Sequence, residues 1–203
     1  YSPEHVRFIT PIISPMLAHA KILKQLYGED VKIVFAGPCI CKKLEADYFN
    51  NLVDVVITFK DLKKWFEQSD INLKNIAPNQ PEARFVPYRS GLGAYYPIEG
   101  GMLKGMQEGK KQIHHMAFSE LSTVKDVLKE LDSHRENDSI FLELLACKGG
   151  CINGPAKLSH ISPALKRYEI IHQSELGNPK DDFKNIDLQI LFCKDPHVQD
   201  HTY

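Results

Sequence analysis

The sequence lacks the features that would assign it to a membrane, to a nucleic acid or to the disulfide-rich secreted class. No apolar run in its 203 residues approaches membrane-spanning length, and the N-terminal YSPEHVRF has no signal-peptide pattern. The formal net charge is −1, so no nucleic-acid or membrane surface is expected. The five cysteines are an odd number and do not suggest a disulfide framework. We therefore expect a cytoplasmic chain whose thiols are reduced and available to soft metals.

The length and composition bound the number of domains. The first residue is Tyr1 and not methionine, so we expect a processed product or a piece of a longer protein. Hydrophobic residues make up 43% and charged residues 25%, which are ordinary globular values. From Ser69 to Pro87 the pattern breaks down into Asn, Pro and charged residues, which predicts a connection between lobes of approximately 1–75 and 85–203.

Helices and strands alternate along the chain, which predicts an α/β fold with parallel sheets and flanking helices. Short apolar or β-branched runs predict strands at 31–37, 53–58, 112–118 and 140–146, and LQILFCK at 188–194 is a candidate edge strand. Helices are predicted over 15–27 with Ser14 as N-cap, over 38–49 opened by Pro38, over 59–68 capped by Thr58 and Asp61, and over 119–134.

Two cysteine segments follow predicted strands, at the sheet edge where ligands bind in parallel sheets. In LELLACKGGCINGP (142–155), Cys147 and Cys151 flank Gly149 and Gly150, and in FAGPCICKK (35–43) Cys39 follows the first strand. The glycines predict a sharp bend or a close approach, with backbone N–H groups turned toward sulfur. Three interpretations are open at this point: two inert buried thiols, an iron–sulfur site, or a zinc site with His160 as fourth ligand.

The last two strands carry further ionisable residues. Glu143 alternates with apolar residues in the strand at 140–146, so we expect a buried carboxylate with a partner or a raised pKa. A structural role is favoured over a place in a proton path. His114 and His115 lie in the strand at 112–118 and must point to opposite faces, one buried and one exposed.

FAGPCICKKLEAD (35–47) and LELLACKGGCINGP resemble the second and third cluster-binding motifs of the iron-only hydrogenase large subunit, C-terminal domain. In that family the motifs read roughly Met-Pro-Cys-x-x-Lys-x-x-Glu and Met-Ala-Cys-x-Gly-Gly-Cys-x-x-Gly-Gly. VDVVITFKDLKKWF and YYPIEGG resemble the segments between them, and the resemblance spans residues 12 to 160. It implies a two-lobed, iron-only hydrogenase-like α/β domain.

The resemblance implies a role for each matched residue. Cys39, Cys147 and Cys151 match the ligands of a 4Fe-4S cluster, and Cys151 also matches the bridge to a two-iron subcluster that carries CO and cyanide. Lys42 matches a lysine that hydrogen-bonds one cyanide, so a catalytic domain would depend on Lys42 and Cys151. The remaining cofactor-binding positions implied by the motifs are Ser14, Pro15, Pro38, Gly149 and Gly150. Ser14 is equally well explained as a helix N-cap.

The sequence also departs from the family's pattern. No cysteine precedes Cys39, so the family's first motif, Thr-Ser-Cys-Cys-Pro, is absent, and with it the fourth cluster ligand and the proton-relay thiol. Gly37 and Leu145 replace methionines, Met16 replaces a glutamine and Pro155 replaces a glycine. Ferredoxin-type cysteine runs are absent as well.

These departures favour a redox- or hydrogen-sensing module that binds an iron–sulfur cluster. Its expected partners are electron-transfer or signalling domains of the same full-length chain, with no nucleic acid and no membrane. The alternative is a catalytic hydrogenase domain that performs reversible proton reduction at the two-iron site. Cys41 and Cys193 lie outside the matched ligand positions and are predicted to be unligated.

Overall fold

The computed structural model describes residues 3–49, 51–76, 85, 90–106, 113–131, 139–175 and 189. The helices in this part of the chain are α1 (Pro15–Tyr27), α2 (Cys41–Tyr48), α3 (Phe59–Gln68), α4 (Leu121–Glu130) and α5 (Pro163–Glu175). The strands are β1 (Val34–Gly37), β2 (Val55–Thr58), β3 (His114–Ser119) and β4 (Ile140–Leu145). Short 3-10 turns cover Pro3–Phe8, Leu73–Asn75, Gly91–Tyr95, Leu103–Gly105 and Cys151–Asn153. None of these helices is both long and apolar enough to cross a membrane.

The strands form two small sheets, and the predicted α/β class with parallel strands is confirmed. β1 pairs with β2, and β3 pairs with β4. The β3–β4 pair is parallel, in a register that runs from His114 opposite Ile140 to Ser119 opposite Leu145. Helix α4 connects these two strands, as a parallel crossover requires. Apart from Gln189, the candidate edge strand at 188–194 lies outside the described residues.

Three strands begin later than their apolar runs predict, and in the first sheet hydrogen bonds connect Ile33 to the start of β2. The Ile33 N–H donates to Asp54 Oδ2 at 2.8 Å, and the Ile33 carbonyl oxygen accepts from the N–H groups of Asp54 and Val55 at 3.0 and 3.2 Å. β1 starts at Val34 instead of residue 31, β2 at Val55 instead of residue 53, and β3 at His114 instead of residue 112.

Two helices also begin later than predicted. Helix α2 starts at Cys41 instead of Pro38, because the Pro38 carbonyl oxygen accepts a hydrogen bond from the Ala156 N–H at 3.1 Å. Helix α4 starts at Leu121 instead of Ser119, because Ser119 completes β3 and Glu120 turns the chain at a φ of 80°.

The helix caps agree with the sequence. The Asp61 N–H donates to Thr58 Oγ1 at 3.2 Å and the Thr58 N–H donates to Asp61 Oδ2 at 2.9 Å, which is the predicted capping box of α3. Ser14 caps α1 by accepting from the Leu17 N–H at 3.5 Å, with Pro15 as the first helical residue.

The chain divides into two compact units. The first contains the described residues of Tyr1–Phe35 and Cys41–Val56, and the second contains Ala36–Ile40 and the described residues of Ile57–Asp181. The predicted lobes of approximately 1–75 and 85–203 stay a prediction. The core of the first unit consists of six buried apolar side chains: Ile13, Met16, Leu17, Ala20, Ala46 and Val53. In the second unit Tyr95, Ile98 and Ala156 are the buried apolar residues among those described.

Candidate functional site

The loop after β4 bends at two adjacent glycines. Gly149 has a φ of 71° and Gly150 a φ of 105°, and residues with a side chain rarely adopt such backbone angles. A Cβ on Gly150 would lie 2.4 Å from the Pro97 carbonyl oxygen and 2.7 Å from Ile98 Cα. Both interpretations of these glycines are therefore confirmed, since the chain turns sharply here and also approaches another backbone segment closely.

The amide groups of the bend donate to oxygen atoms. The Gly149 N–H donates to Ser119 Oγ at 2.8 Å, and the Gly150 N–H donates to the Cys147 carbonyl oxygen at 2.9 Å. These two amides therefore do not make the predicted hydrogen bonds to sulfur. Sequence reasoning missed Ser119, although its position at the carboxyl end of a parallel strand is where functional side chains are expected.

The segment around Pro97 is joined to the bend by hydrogen bonds in both directions. The Ile152 N–H donates to the Pro97 carbonyl oxygen at 3.0 Å. The Glu99 N–H donates to the Gly149 carbonyl oxygen at 3.4 Å. The bend is therefore fixed on one side by β3 through Ser119 and on the other by the Pro97–Glu99 segment.

The segment that carries Cys39 lies against the end of the same loop. Besides the bond from Ala156, the Pro38 carbonyl oxygen stands 2.6 Å from the position a Cβ on Gly154 would take. Both segments belong to the second unit. Cys39, Cys147 and Cys151 are all half-buried thiols. The structure thus brings the segments of all three predicted ligands to one region.

Three thiols suit an iron–sulfur cluster in chemical kind, because each iron of such a cluster takes a thiolate at its own corner. Zinc instead needs its ligands within about 2.3 Å of a single point. Among the described residues, no three Cys, His, Asp or Glu side chains are grouped closely enough to hold a metal ion. His160, the predicted fourth zinc ligand, is exposed. Both the zinc and the iron–sulfur interpretations stay predictions.

The other predicted site residues belong to the first unit. The Lys42 ammonium pairs with the Glu45 carboxylate one turn along α2, and each side chain is 23% exposed. Ser14 and Pro15 open α1, as described above. Cys41 is exposed at the first residue of α2. The ligand-binding roles of Lys42, Ser14 and Pro15 stay predictions, and Cys193 lies outside the described residues.

Glu143 is buried, as its place in an apolar strand predicts. Only 3% of the residue is exposed, and burial raises the pKa of its carboxyl. The backbone amides of Leu103, Met102 and Gly100 act against this rise in pKa. Neither carboxyl oxygen accepts a hydrogen bond of normal geometry from a described residue. Burying a carboxyl without hydrogen-bond partners costs free energy.

The two strand histidines differ in exposure. His114 is exposed, whereas His115 is half-buried and packs edge-on against Phe141, with 6.1 Å between ring centroids. The two histidines therefore differ in exposure, as the predicted alternation of side chains across the strand requires.

Comparison with known proteins connects this arrangement to one family. The model of the iron-only hydrogenase large subunit, C-terminal domain, matches residues 1–155. Iron hydrogenase 1 from Clostridium pasteurianum is 24% identical over an alignment of 242 positions. The alignment covers 98% of this chain but only 40% of that protein.

Solved structures give the same fold. An FeFe-hydrogenase structure that reports stepwise H-cluster assembly has a TM-score of 0.56 at 18% identity, covering 83% of this chain and 61% of that one. A variant of the FeFe-hydrogenase HydA1 from Chlamydomonas reinhardtii has a TM-score of 0.55 at 16% identity, with the same coverage of 83% and 61%. At such identities the structures establish the fold alone.

Proposed function

The chain belongs to the iron-only hydrogenase large subunit, C-terminal domain family, and from that premise we propose that it binds an iron–sulfur cluster and serves as a redox- or hydrogen-sensing module. The cluster is of the 4Fe-4S type, with the thiolates of Cys39, Cys147 and Cys151 as ligands. One observation carries the proposal. The bond from the Ala156 N–H to the Pro38 carbonyl oxygen, 3.1 Å long, joins the segment of Cys39 to the loop that holds the other two thiols.

The chain's own contribution is to hold the thiols in place. Gly149 and Gly150 turn the backbone between Cys147 and Cys151, and Ser119 ties the turn to the end of β3 through the 2.8 Å bond described above. When bound, the cluster supplies one-electron redox chemistry, which the protein adjusts through its ligands and surroundings. The half-buried position of the thiols restricts the access of water to that chemistry.

The replaced residues support sensing over turnover. Gly37 and Leu145 stand where the family has methionine, and Pro155 stands where it has glycine. A changed set of neighbours alters the potential and reactivity of a metal centre even when its ligands are kept. The proposed partners are electron-transfer or signalling domains of the same full-length chain, in the cytoplasm.

The second candidate function is that of a catalytic hydrogenase domain performing reversible proton reduction. The match of 98% of this chain to Iron hydrogenase 1 favours it. In that case Cys151 would also hold a two-iron subcluster, which would supply the site of proton reduction, and Lys42, Ser14 and Pro15 would have the roles toward its diatomic ligands that the motif match implies. The chain spans 40% of that relative, so the activity of the whole protein is a proposal for this one.

Anaerobic reconstitution with iron and sulfide tests the cluster. The bound iron and sulfide are counted per chain, and the reduced protein is examined by electron paramagnetic resonance. The matched motifs supply three thiolates and a cubane takes four. We therefore expect the 203-residue chain to load weakly, and a version extended by upstream residues of its gene to load fully.

Serine variants identify the ligands. Cys39→Ser, Cys147→Ser and Cys151→Ser should each reduce the iron content of the extended version, whereas the exposed Cys41→Ser serves as the matched control and should leave it unchanged. A full four-iron cluster on the short chain that survives substitution of Cys41 and Cys193 would refute the missing-ligand argument. Hydrogen evolution by the loaded extended version with a chemical reductant would favour the catalytic alternative over sensing.

A further inference from the structure

The chain leaves β3 at a residue whose backbone conformation is unusual. Among the described residues, Asp70 and Glu120 are the non-glycine residues with a positive φ. Asp70, at φ 53°, follows the last turn of α3, where such an angle commonly ends a helix. Glu120 has φ 80° and ψ 125° and precedes a helix, so helix termination does not account for its conformation. A residue with a side chain keeps such angles only where contacts with other segments hold it there.

The contacts of Glu120 are with the segment that carries Cys147 and Cys151. The Glu120 N–H donates to the Leu145 carbonyl oxygen at 3.0 Å, at the point where β4 ends. The Glu120 carboxylate Oε2 lies 3.0 Å from the ammonium Nζ of Lys148, the residue after Cys147. Glu120 therefore contacts residues 146–154, which we call the cysteine loop, both where the loop begins and in its first turn.

Lys148 is also fixed within the loop. Its carbonyl oxygen accepts a hydrogen bond from Asn153 Nδ2 at 3.1 Å, and Ser119 Oγ accepts the N–H of the next residue, as described above. The Lys148 side chain is 79% exposed and that of Glu120 is 44% exposed. An ion pair between exposed side chains is normally weak, in part because pairing restricts two flexible chains. Here the backbone at each end is already held by a hydrogen bond, so only the side chains lose freedom on pairing.

We infer that Glu120 is a positioning residue for the cysteine loop, in that its N–H and its carboxylate hold the loop to the end of β3 at Leu145 and Lys148. This role accounts for the left-handed backbone conformation of Glu120, because both contacts are made from that one turn of the chain. The inference rests on the proposed function only insofar as the loop is taken to serve a cluster, since the positioning itself is a property of the chain without metal.

The test of the side-chain contact uses the metal-free chain. Four forms are compared with the parent: Glu120→Ala, Lys148→Met, the two changes together, and the charge swap of Glu120→Lys with Lys148→Glu. The quantity measured is the protection of the Gly149 and Gly150 amides against hydrogen exchange, resolved by nuclear magnetic resonance. Each value is corrected for the effect of neighbouring side chains on the intrinsic exchange rate.

A matched control is available in α4. Lys129 Nζ lies 3.2 Å from Asp126 Oδ1, and both side chains are more than two-thirds exposed, at 73% and 71%. Asp126→Ala therefore removes a carboxylate from a similar pair in the same unit, one that lies within the helix. It should leave the protection of both glycine amides unchanged.

In Glu120→Ala and in Lys148→Met we expect the protection of the Gly149 amide to fall about two- to fivefold, as the loss of an exposed pair predicts. The two changes together should lower it no further than either change alone, because they remove the same contact. The charge swap should restore most of the lost protection. Sodium chloride at about 1 M, where charges are screened beyond about 3 Å, should lower protection in the parent but not in Glu120→Ala.

The backbone contact has its own measurement. Glycine adopts a φ of 80° without strain, whereas alanine does not, and both lack the carboxylate. Glu120→Gly should therefore unfold at a higher urea concentration than Glu120→Ala, with the Glu120 conformation as the cause. Equal midpoints for these two variants would overturn the account of a backbone held in place by the loop.

Three results would overturn the side-chain contact: parent-like protection in Glu120→Ala, additive losses in the double variant, or a charge swap that restores nothing. None of these readouts needs iron, so the inference and the proposed function fail separately. A chain that never binds a cluster can still show the loss and its rescue by the charge swap. Conversely, a cluster that loads on a chain with unchanged loop protection in Glu120→Ala would remove the positioning role and leave the proposed function intact.

Discussion

Replacement of Gly150 by alanine tests the loop geometry most directly. Gly150 has φ 105° and ψ 176°, a region essentially reserved for glycine, and another residue there costs about 1–3 kcal/mol. The added Cβ would lie 2.4 Å from the Pro97 carbonyl oxygen and 2.7 Å from Ile98 Cα, which are backbone atoms that cannot rotate away. Overpacking of this kind costs a further 1–3 kcal/mol or so. We therefore expect the free energy of unfolding to fall by about 2–6 kcal/mol.

Two other glycines separate these contributions. Gly28 has φ 95° and ψ 160°, in the same backbone region, but nothing lies within 4 Å of the Cβ it would gain. Gly28→Ala should therefore show the backbone cost alone, about 1–3 kcal/mol. Gly105 also has open space where a Cβ would lie and needs no unusual φ, so Gly105→Ala should change stability by less than about 1 kcal/mol.

Urea unfolding followed by circular dichroism measures these losses, provided that the slope of the free energy against urea is unchanged. Gly28 and Gly150 belong to different units, so amide exchange is recorded as well to show which unit opens. If Gly150→Ala loses no more stability than Gly28→Ala, the close approach to the Pro97 segment contributes nothing, and the account of the bend is wrong.

Three further predictions concern single contacts. Ser119→Ala removes the acceptor of the Gly149 N–H and should cost about 1 kcal/mol, with faster exchange of that amide; unchanged exchange would contradict it. Thr58→Ala removes the capping box of α3 and should also cost about 1 kcal/mol in urea unfolding, whereas an unchanged midpoint would contradict the cap. Burial raises the pKa of the Glu143 carboxyl above its ordinary value of 4.5. The folded chain therefore binds more protons at this residue than the unfolded chain does. As a result, the contribution of Glu143 to the free energy of unfolding falls as pH rises from about 4.5 through the raised pKa. Glu143→Gln should remove that fall, and parallel pH profiles of the two chains would argue against it.

Features that depend on neighbours within a few residues could be predicted from the sequence. The capping box of Thr58 and the N-cap at Ser14 are written in three- and four-residue patterns, and the structure shows both. The alternation of strands and helices, the glycine bend and the burial of Glu143 were readable for the same reason. The strands, the helices and the burial of Glu143 follow from the spacing of apolar residues along the chain, and the bend follows from the backbone freedom of glycine. The cysteine motifs carried enough pattern to indicate the family as well.

The contacts between segments that are distant in sequence could not be predicted in this way. Helix α2 begins at Cys41 because the Pro38 carbonyl oxygen is taken by Ala156, more than a hundred residues away in sequence. Ser119, at the end of β3, accepts a hydrogen bond from the loop after β4 because β3 and β4 are paired side by side. No local pattern encodes such partners, since a backbone carbonyl or a hydroxyl has no preference for one distant donor over another. The choice is made when the strands pair and the buried polar groups must each find a partner.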